Sequence, residues 1–288
     1  MFGKKSIRVL IQKSKGEFKE GVNTLEFKDL PVEARINRSG SSSESIIKIY
    51  GISKEHINSI TWLPNLGIKQ DAPLKIALYV DEGAGESLLY VGVIRDACPE
   101  YMQAPDICID IKCVALAFQN LMGSIPPTSF KGEARVPDIY KAVCASYKTP
   151  FYDRTVKESP MVKAPLLNQK SITKRLDALK EAYPDIVYKE YNDTVYIYNK
   201  NNEDVKYTLT PNDFIGYPAF NQYGISIYLD RVISIKPAEA IEIKGSEIDS
   251  INRKWRVVSL KYNISTKIGG KWEMEIGCRK FEEAKNDS

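Results

Sequence analysis

The sequence predicts a mainly β protein with an α+β insert between two β-rich portions. Three observations carry that prediction. Apolar and polar residues alternate along several stretches near both ends of the chain, the period of a half-buried strand. Tyrosine is abundant, 17 of 288 residues, and with many Val, Ile and Thr it suits pleated, half-buried surfaces. Apolar spacing turns helical only in the middle of the chain, between Pro137 and Pro184.

The elements follow in order. Ile76, Leu78 and Val80 define one strand face, and Ile107, Ile109, Ile111 and Cys113 another. Gly83-Ala84-Gly85 lies between strand patterns and reads as a hairpin loop rather than a phosphate cradle. Pro137-Asp138 opens a helix carrying Ile139, Val143 and Tyr147 on one stripe and ending before Pro150. Ser171 is placed to cap a second helix with Ile172, Leu176 and Leu179 inward, and Pro184 stops it. A hairpin follows, Ile186–Glu190 to Val195–Tyr198, turning at Asn192-Asp193. Ile241 and Ile243 mark a further strand. Val258, Leu260, Tyr262 and Ile264 then alternate, as do Trp272, Met274, Ile276 and Cys278, across a turn at Ser265–Gly270. Hinges at Pro126-Pro127 and Thr210–Asn212 divide the chain into residues 1–124, 125–209 and 210–288, each a reasonable domain size. The two β portions read as copies of one barrel.

Composition excludes several classes. With 43% hydrophobic and 27% charged residues the chain is ordinary globular protein, not disordered or collagenous. A net charge of +4, spread without a basic stripe, argues against a dedicated nucleic-acid binder. No apolar run reaches the roughly 18 residues of a membrane helix, so no membrane insertion is expected. The first residues carry no signal-peptide pattern, which predicts a soluble protein made in the cytosol. Five cysteines (Cys98, Cys108, Cys113, Cys144, Cys278), odd in number and without C-x-x-C, read as reduced, mostly buried thiols.

No chemistry assembles from the motifs. His56 is the one histidine, which removes most metal sites and most histidine-based acid–base schemes. It follows Ser53-Lys54-Glu55 and reads as solvated on the first turn of a short helix. Cys144 sits beside Val143 on an amphipathic helix and reads as a structural thiol, not the partner of His56. Asp81-Glu82 and Glu282-Glu283 read as solvated charge, and Asp138, Asp185 and Asp213 as turn or capping residues. There is no phosphate-binding loop and no dinucleotide fingerprint. The catalytic, cofactor-binding and metal-ligating sets are therefore each expected to be empty, and no cofactor is expected. Tyr188, Tyr191, Tyr196 and Tyr198 could stack single-stranded nucleic acid, but Lys189 and Lys200 are offset by Glu190 and Asp193; half-buried sheet residues are the simpler reading. A carbohydrate-binding β protein would need a convergent polar pocket.

The order of segments resembles the baseplate hub proteins of tailed bacteriophages. Leu30–Ile36, the Ser39–Ser45 loop and Ile46–Glu55 resemble the hub's strand that ends near "IYNLS" before a short helix. Tyr50 and Ser53 match, and Gly51 stands where Asn is usual. Leu89–Ile94 with Gly92 resembles its "lFxGxI" strand, and Phe214–Phe220 with Gly216 and Pro218 its "liGxP" segment. Trp255–Ile264 and Gly269–Cys278, with Trp255, Gly270 and Trp272, resemble its closing hairpin; Tyr262 replaces the usual His, and Met274 lies near the usual Thr.

The resemblance implies two tube-like β-barrel domains flanking a small α/β domain. It also implies a structural virion protein, a homotrimer that joins the hexameric tail tube protein to the trimeric central spike protein beside other baseplate proteins. DNA would pass through its lumen without specific contacts, and assembly would take place in the host cytoplasm. A phage-like contractile injection or secretion device would use the same kind of hub.

Overall fold

The computed structural model describes residues 5–19, 21–38, 44–68, 73–102, 104–114, 130, 132–155, 159, 161–163, 166–169, 171–200, 204–222 and 224–281. Pro126-Pro127, Glu282-Glu283 and most of the Ser39–Ser45 loop lie outside the described residues. The chain divides into two compact units, Met1–Phe118 with Lys261–Met274, and Gln119–Leu260 with Glu275–Ser288.

The first unit is built on an antiparallel sheet. Its strands are β1 (Ser6–Lys13), β2 (Thr24–Phe27), β3 (Val32–Arg38), β4 (Glu44–Tyr50), β5 (Leu74–Asp81), β6 (Ser87–Glu100) and β7 (Cys108–Val114). They pair in the order β2-β1-β5-β6-β7-β4-β3. The period-2 pattern becomes the core directly. Ile7, Val9 and Ile11 of β1, Leu74, Ile76, Leu78 and Val80 of β5, and Ile109, Ile111 and Cys113 of β7 are all buried. Each such side chain contributes about 1.5–3 kcal/mol, and a one-residue slip would turn the set outward, so the register is strongly specified. Bulges between Leu78 and Tyr79 and between Ile94 and Asp96 interrupt the pairing of β6 with its neighbours. Extra residues of this kind bend a strand and raise its twist. Helix α1 (Lys54–Ile60) buries Ile57 and Ile60.

The second unit holds the other two described α-helices, α2 (Val136–Ser146) and α3 (Ile172–Ala182), at the helical spacing. Ser171 caps α3, its hydroxyl accepting from Lys174 N at 3.2 Å. Ile139, Val143, Tyr147, Ile172, Leu176 and Leu179 form one core with Ile186, Val195 and Ile197. Buried Arg175 donates to the Gln169 carbonyl at 2.7 Å and lies over the Tyr147 ring. Those helices pack with a three-stranded sheet of β11 (Ile186–Tyr191), β12 (Thr194–Asn199) and β9 (Phe151–Arg154), in which β9 and β12 are parallel. Asn192 and Asp193 form the turn, with φ of 50° and 62°.

Two short strands, β8 (Glu133–Arg135) and β10 (Met161–Lys163), pair separately. The rest of this unit is a second β region. β13 (Val205–Leu209) runs parallel to β16 (Ala240–Ile243), which pairs with the start of β17 (Lys254–Ser265). β14 (Ala219–Asn221) pairs with β15 (Gly224–Leu229), the neighbour of β18 (Trp272–Arg279). At Thr210–Asn212, the expected hinge, a 3-10 turn over Pro211–Asp213 is closed by reciprocal bonds between Thr210 and Asp213.

The mainly β class with central helices stands, but barrel closure does not. Among the described residues the strand order is an open path that ends at β2 and β14. The terminal strands are only four and three residues long, too short to carry a closing ladder.

Candidate functional site

The motif residues are structural parts rather than chemical ones. Tyr50 ends β4 and is buried; its amide donates to the Pro31 carbonyl at 3.0 Å. The next residue, Gly51, has φ of 72°, where only Gly, Asn and a few others sit without strain. That explains why Gly can stand where the hub pattern has Asn. Ser53 then caps α1, its Oγ accepting from His56 N at 3.2 Å.

The tip of the closing hairpin reaches this motif. Val32 N donates to Thr266 Oγ1 at 2.9 Å, Thr266 N to the Val32 carbonyl at 2.9 Å, and Thr266 Oγ1 to the Leu30 carbonyl at 3.3 Å. Lys267 Nζ stands 4.0 Å from the Tyr50 ring centroid and 3.5 Å from Asp106. Burial, reinforced by Glu33, pushes the Tyr50 hydroxyl up to about 12. Gly270 closes the turn, its amide donating to the Lys267 carbonyl at 2.9 Å. Three stretches far apart in sequence, Leu30–Ile36, Ile46–Glu55 and Ser265–Trp272, therefore meet.

The remaining motif residues are anchored separately. Trp272 donates its indole N–H to Glu82 at 2.5 Å, with Lys5 over the ring. Glu82 is thus a hydrogen-bond partner, not merely solvated charge. Its neighbour Asp81 accepts from Gly83 N and Gly85 N, forming the expected hairpin loop. Gly92 lies against Tyr90: a Cβ there would fall on the Tyr90 ring. In the second unit Trp255 is buried and donates to the Ile251 carbonyl at 2.9 Å. Gly216 takes a left-handed turn (φ 72°) before buried Pro218, between exposed Ile215, Tyr217 and Phe220.

The reactive-looking residues take ordinary places. His56 is half-buried and meets Phe27 edge-on at 5.6 Å, not fully solvated as the sequence suggested. The polar sequence around it hides a partner 29 positions away. Cys144 belongs to the other unit, is buried, and burial pushes its thiol up to about 12, so little thiolate forms near neutrality. Among the described residues no group of three or more His, Cys, Asp or Glu could hold a metal ion. No helix of the described residues is long and apolar enough to cross a membrane.

The tyrosines do not form one platform. Tyr188 turns to the helical core and donates to Asp177 at 2.7 Å, while Tyr198 is buried. Tyr191 and Tyr196 cluster with Tyr152, under Lys236, and Arg154 beside them pairs with Glu239 at 2.6 Å. Arg154 and Glu239 also line a cavity of about 360 Å³ with Tyr198, Asp204 and Lys206. Its mixed charge shows no convergent set of donors.

With the fold in hand, the class is clear: it is the fold of phage tail and type VI secretion proteins. A 43 kDa tail protein of prophage MuSo2 from Shewanella oneidensis superposes with a TM-score of 0.59 at 11% identity, covering 94% of this chain and 96% of the other. A tail protein from Neisseria meningitidis gives 0.63 at 8% identity, with 95% and 96% covered. An E. coli component of the type VI secretion system, described as similar to the T4 bacteriophage tail proteins gp27 and gp5, gives 0.56 at 12% identity, with 88% and 74% covered. No family model and no curated protein matches the chain.

Proposed function

We propose that this chain is a tail or baseplate hub, a structural protein that joins a tail tube to a central spike. The observation that carries the reading is end-to-end likeness of fold: two tail proteins are matched over 94% and 95% of this chain and 96% of theirs. In this reading residues 1–124 and 210–288 are tube-like domains and residues 125–209 the insert. Three copies present six such domains toward a hexameric tube and a threefold face toward a trimeric spike. The open edges β2 and β14 suit closure between copies, since unpaired edges invite pairing. DNA crosses the lumen, and assembly occurs in the host cytoplasm before incorporation into the virion. Tyr50, Ser53, Gly92, Gly216, Pro218, Trp255, Gly270 and Trp272 serve as structural anchors, and the protein is not an enzyme.

A second reading, a hub of a secretion or injection device, draws on the likeness to the type VI component. Electron microscopy of the protein mixed with its tube and spike neighbours tests both. A threefold ring between tube and spike supports the hub; a chain absent from assembled particles overturns it.

A further inference from the structure

Among the described residues that line it, one cavity of the second unit carries charge of a single sign. It measures about 210 Å³, below the roughly 300 Å³ at which pockets for drug-sized ligands begin, so it fits a compact ligand. Lys180, Lys189, Lys200, Arg256, Arg279 and Lys280 line it, and among the described residues that line it none is acidic. The sequence arranges this through strand alternation. Val187 and Lys189 share a face of β11 with Tyr198 of β12, and Arg256 and Val258 share a face of β17. Lys180 comes from the last turn of α3, and Arg279 ends β18. Val187, Val258 and Tyr198 provide the apolar part of the lining. The Arg256 guanidinium is held 4.6 Å from the Phe281 ring centroid.

Like charges gathered in one hollow disfavour one another's charged forms. Lys189 registers the cost: burial first, then Lys180 and Arg279, push its ammonium below the ordinary lysine value. Two planar guanidinium forks with several ammonium groups match an anion bearing more than one charge and several acceptor oxygens, which is phosphate rather than a lone carboxylate.

We propose that this cavity binds a compact phosphate-class oxyanion, held by Lys180, Lys189, Arg256 and Arg279. The site stands apart from the hub reading and survives its failure. Isothermal titration calorimetry of the full chain with tripolyphosphate at fixed ionic strength tests it. Saturable one-site binding is expected. Lys189→Gln and Arg279→Gln each weaken it about tenfold or more. So does Lys180→Gln, an exposed position whose change leaves the fold intact. Lys271→Gln, on the exposed surface of the first unit beside Glu273, leaves the affinity unchanged. Absence of saturable heat, or equal weakening by the Lys271 variant, overturns the site. Duplex DNA that competes with tripolyphosphate through the same three residues overturns the compact ligand in favour of a nucleic-acid backbone.

Discussion

The Tyr90 ring occupies the space where a side chain on residue 92 would begin. Tyr90 is 1% exposed and cannot swing into water, so Gly92→Ala must displace packed atoms. Overpacking of that kind costs about 1–3 kcal/mol, measurable by urea denaturation. The same substitution made with Tyr90→Ala should cost much less, because the clash is removed; an unchanged cost would place the strain in the backbone instead. Asp213 makes a pH-dependent contribution. Hydrogen bonds from the Thr210 amide and hydroxyl, with Arg231 beside it, hold its carboxyl below the ordinary aspartate value. A depressed folded value stabilises above the unfolded value and is lost as pH falls through the folded one. Asp213→Asn should therefore lower stability near pH 7 and narrow the gap between pH 7 and pH 3 in thermal melts.

At the scale of elements, the β11–β12 turn tests how well local sequence suits local backbone. Asn192 and Asp193 both have positive φ, the two-residue turn that prefers Asn-Gly. A non-glycine residue in the left-handed region costs roughly 1–2 kcal/mol, while glycine loses about 0.5–1 in chain entropy. Asp193→Gly should thus raise stability by about 0.5 kcal/mol in chemical denaturation. This turn, the Ser171 cap and the alternating core of β7 were readable in the sequence because each depends on residues within a few positions. The half-burial of His56 against Phe27 and the bond from Trp272 to Glu82 join segments far apart in sequence, and the Tyr90–Gly92 contact within β6 depends on which way the tyrosine ring lies; periodicity alone encodes none of these. The parallel pairs β9–β12 and β13–β16 were equally hidden: strands of four or five residues show too few alternations to separate them from loop. Among the motif residues, what each one is could be read, but the meeting of Thr266 with Val32 across 234 positions could not. Thr266→Val removes that acceptor and leaves a half-buried amide unpaired. It should cost about 1–3 kcal/mol and raise hydrogen exchange at Val32.

At the scale of the whole molecule, the exposed apolar residues indicate where copies could meet. Ile215, Tyr217 and Phe220 crowd the short edge around β14, at 42%, 66% and 58% exposure. Single exposed apolar residues are common, but three within six positions beside an unpaired edge form the kind of patch that protein contacts use. In the hub reading three copies must bury well over about 1,000 Å² at each contact, and an edge strand supplies both backbone donors and this apolar surface. Light scattering of the protein, alone or with its tube and spike neighbours, should then give three chains per particle. Phe220→Lys should leave the melting temperature nearly unchanged, because the side chain is already in water. It should nonetheless shift the particles toward single chains, since a charge at an edge strand opposes strand pairing between molecules. A stable dimer under every condition, or a Phe220→Lys protein that assembles as well as the parent, would remove β14 as the seam and with it the case for edge-to-edge closure.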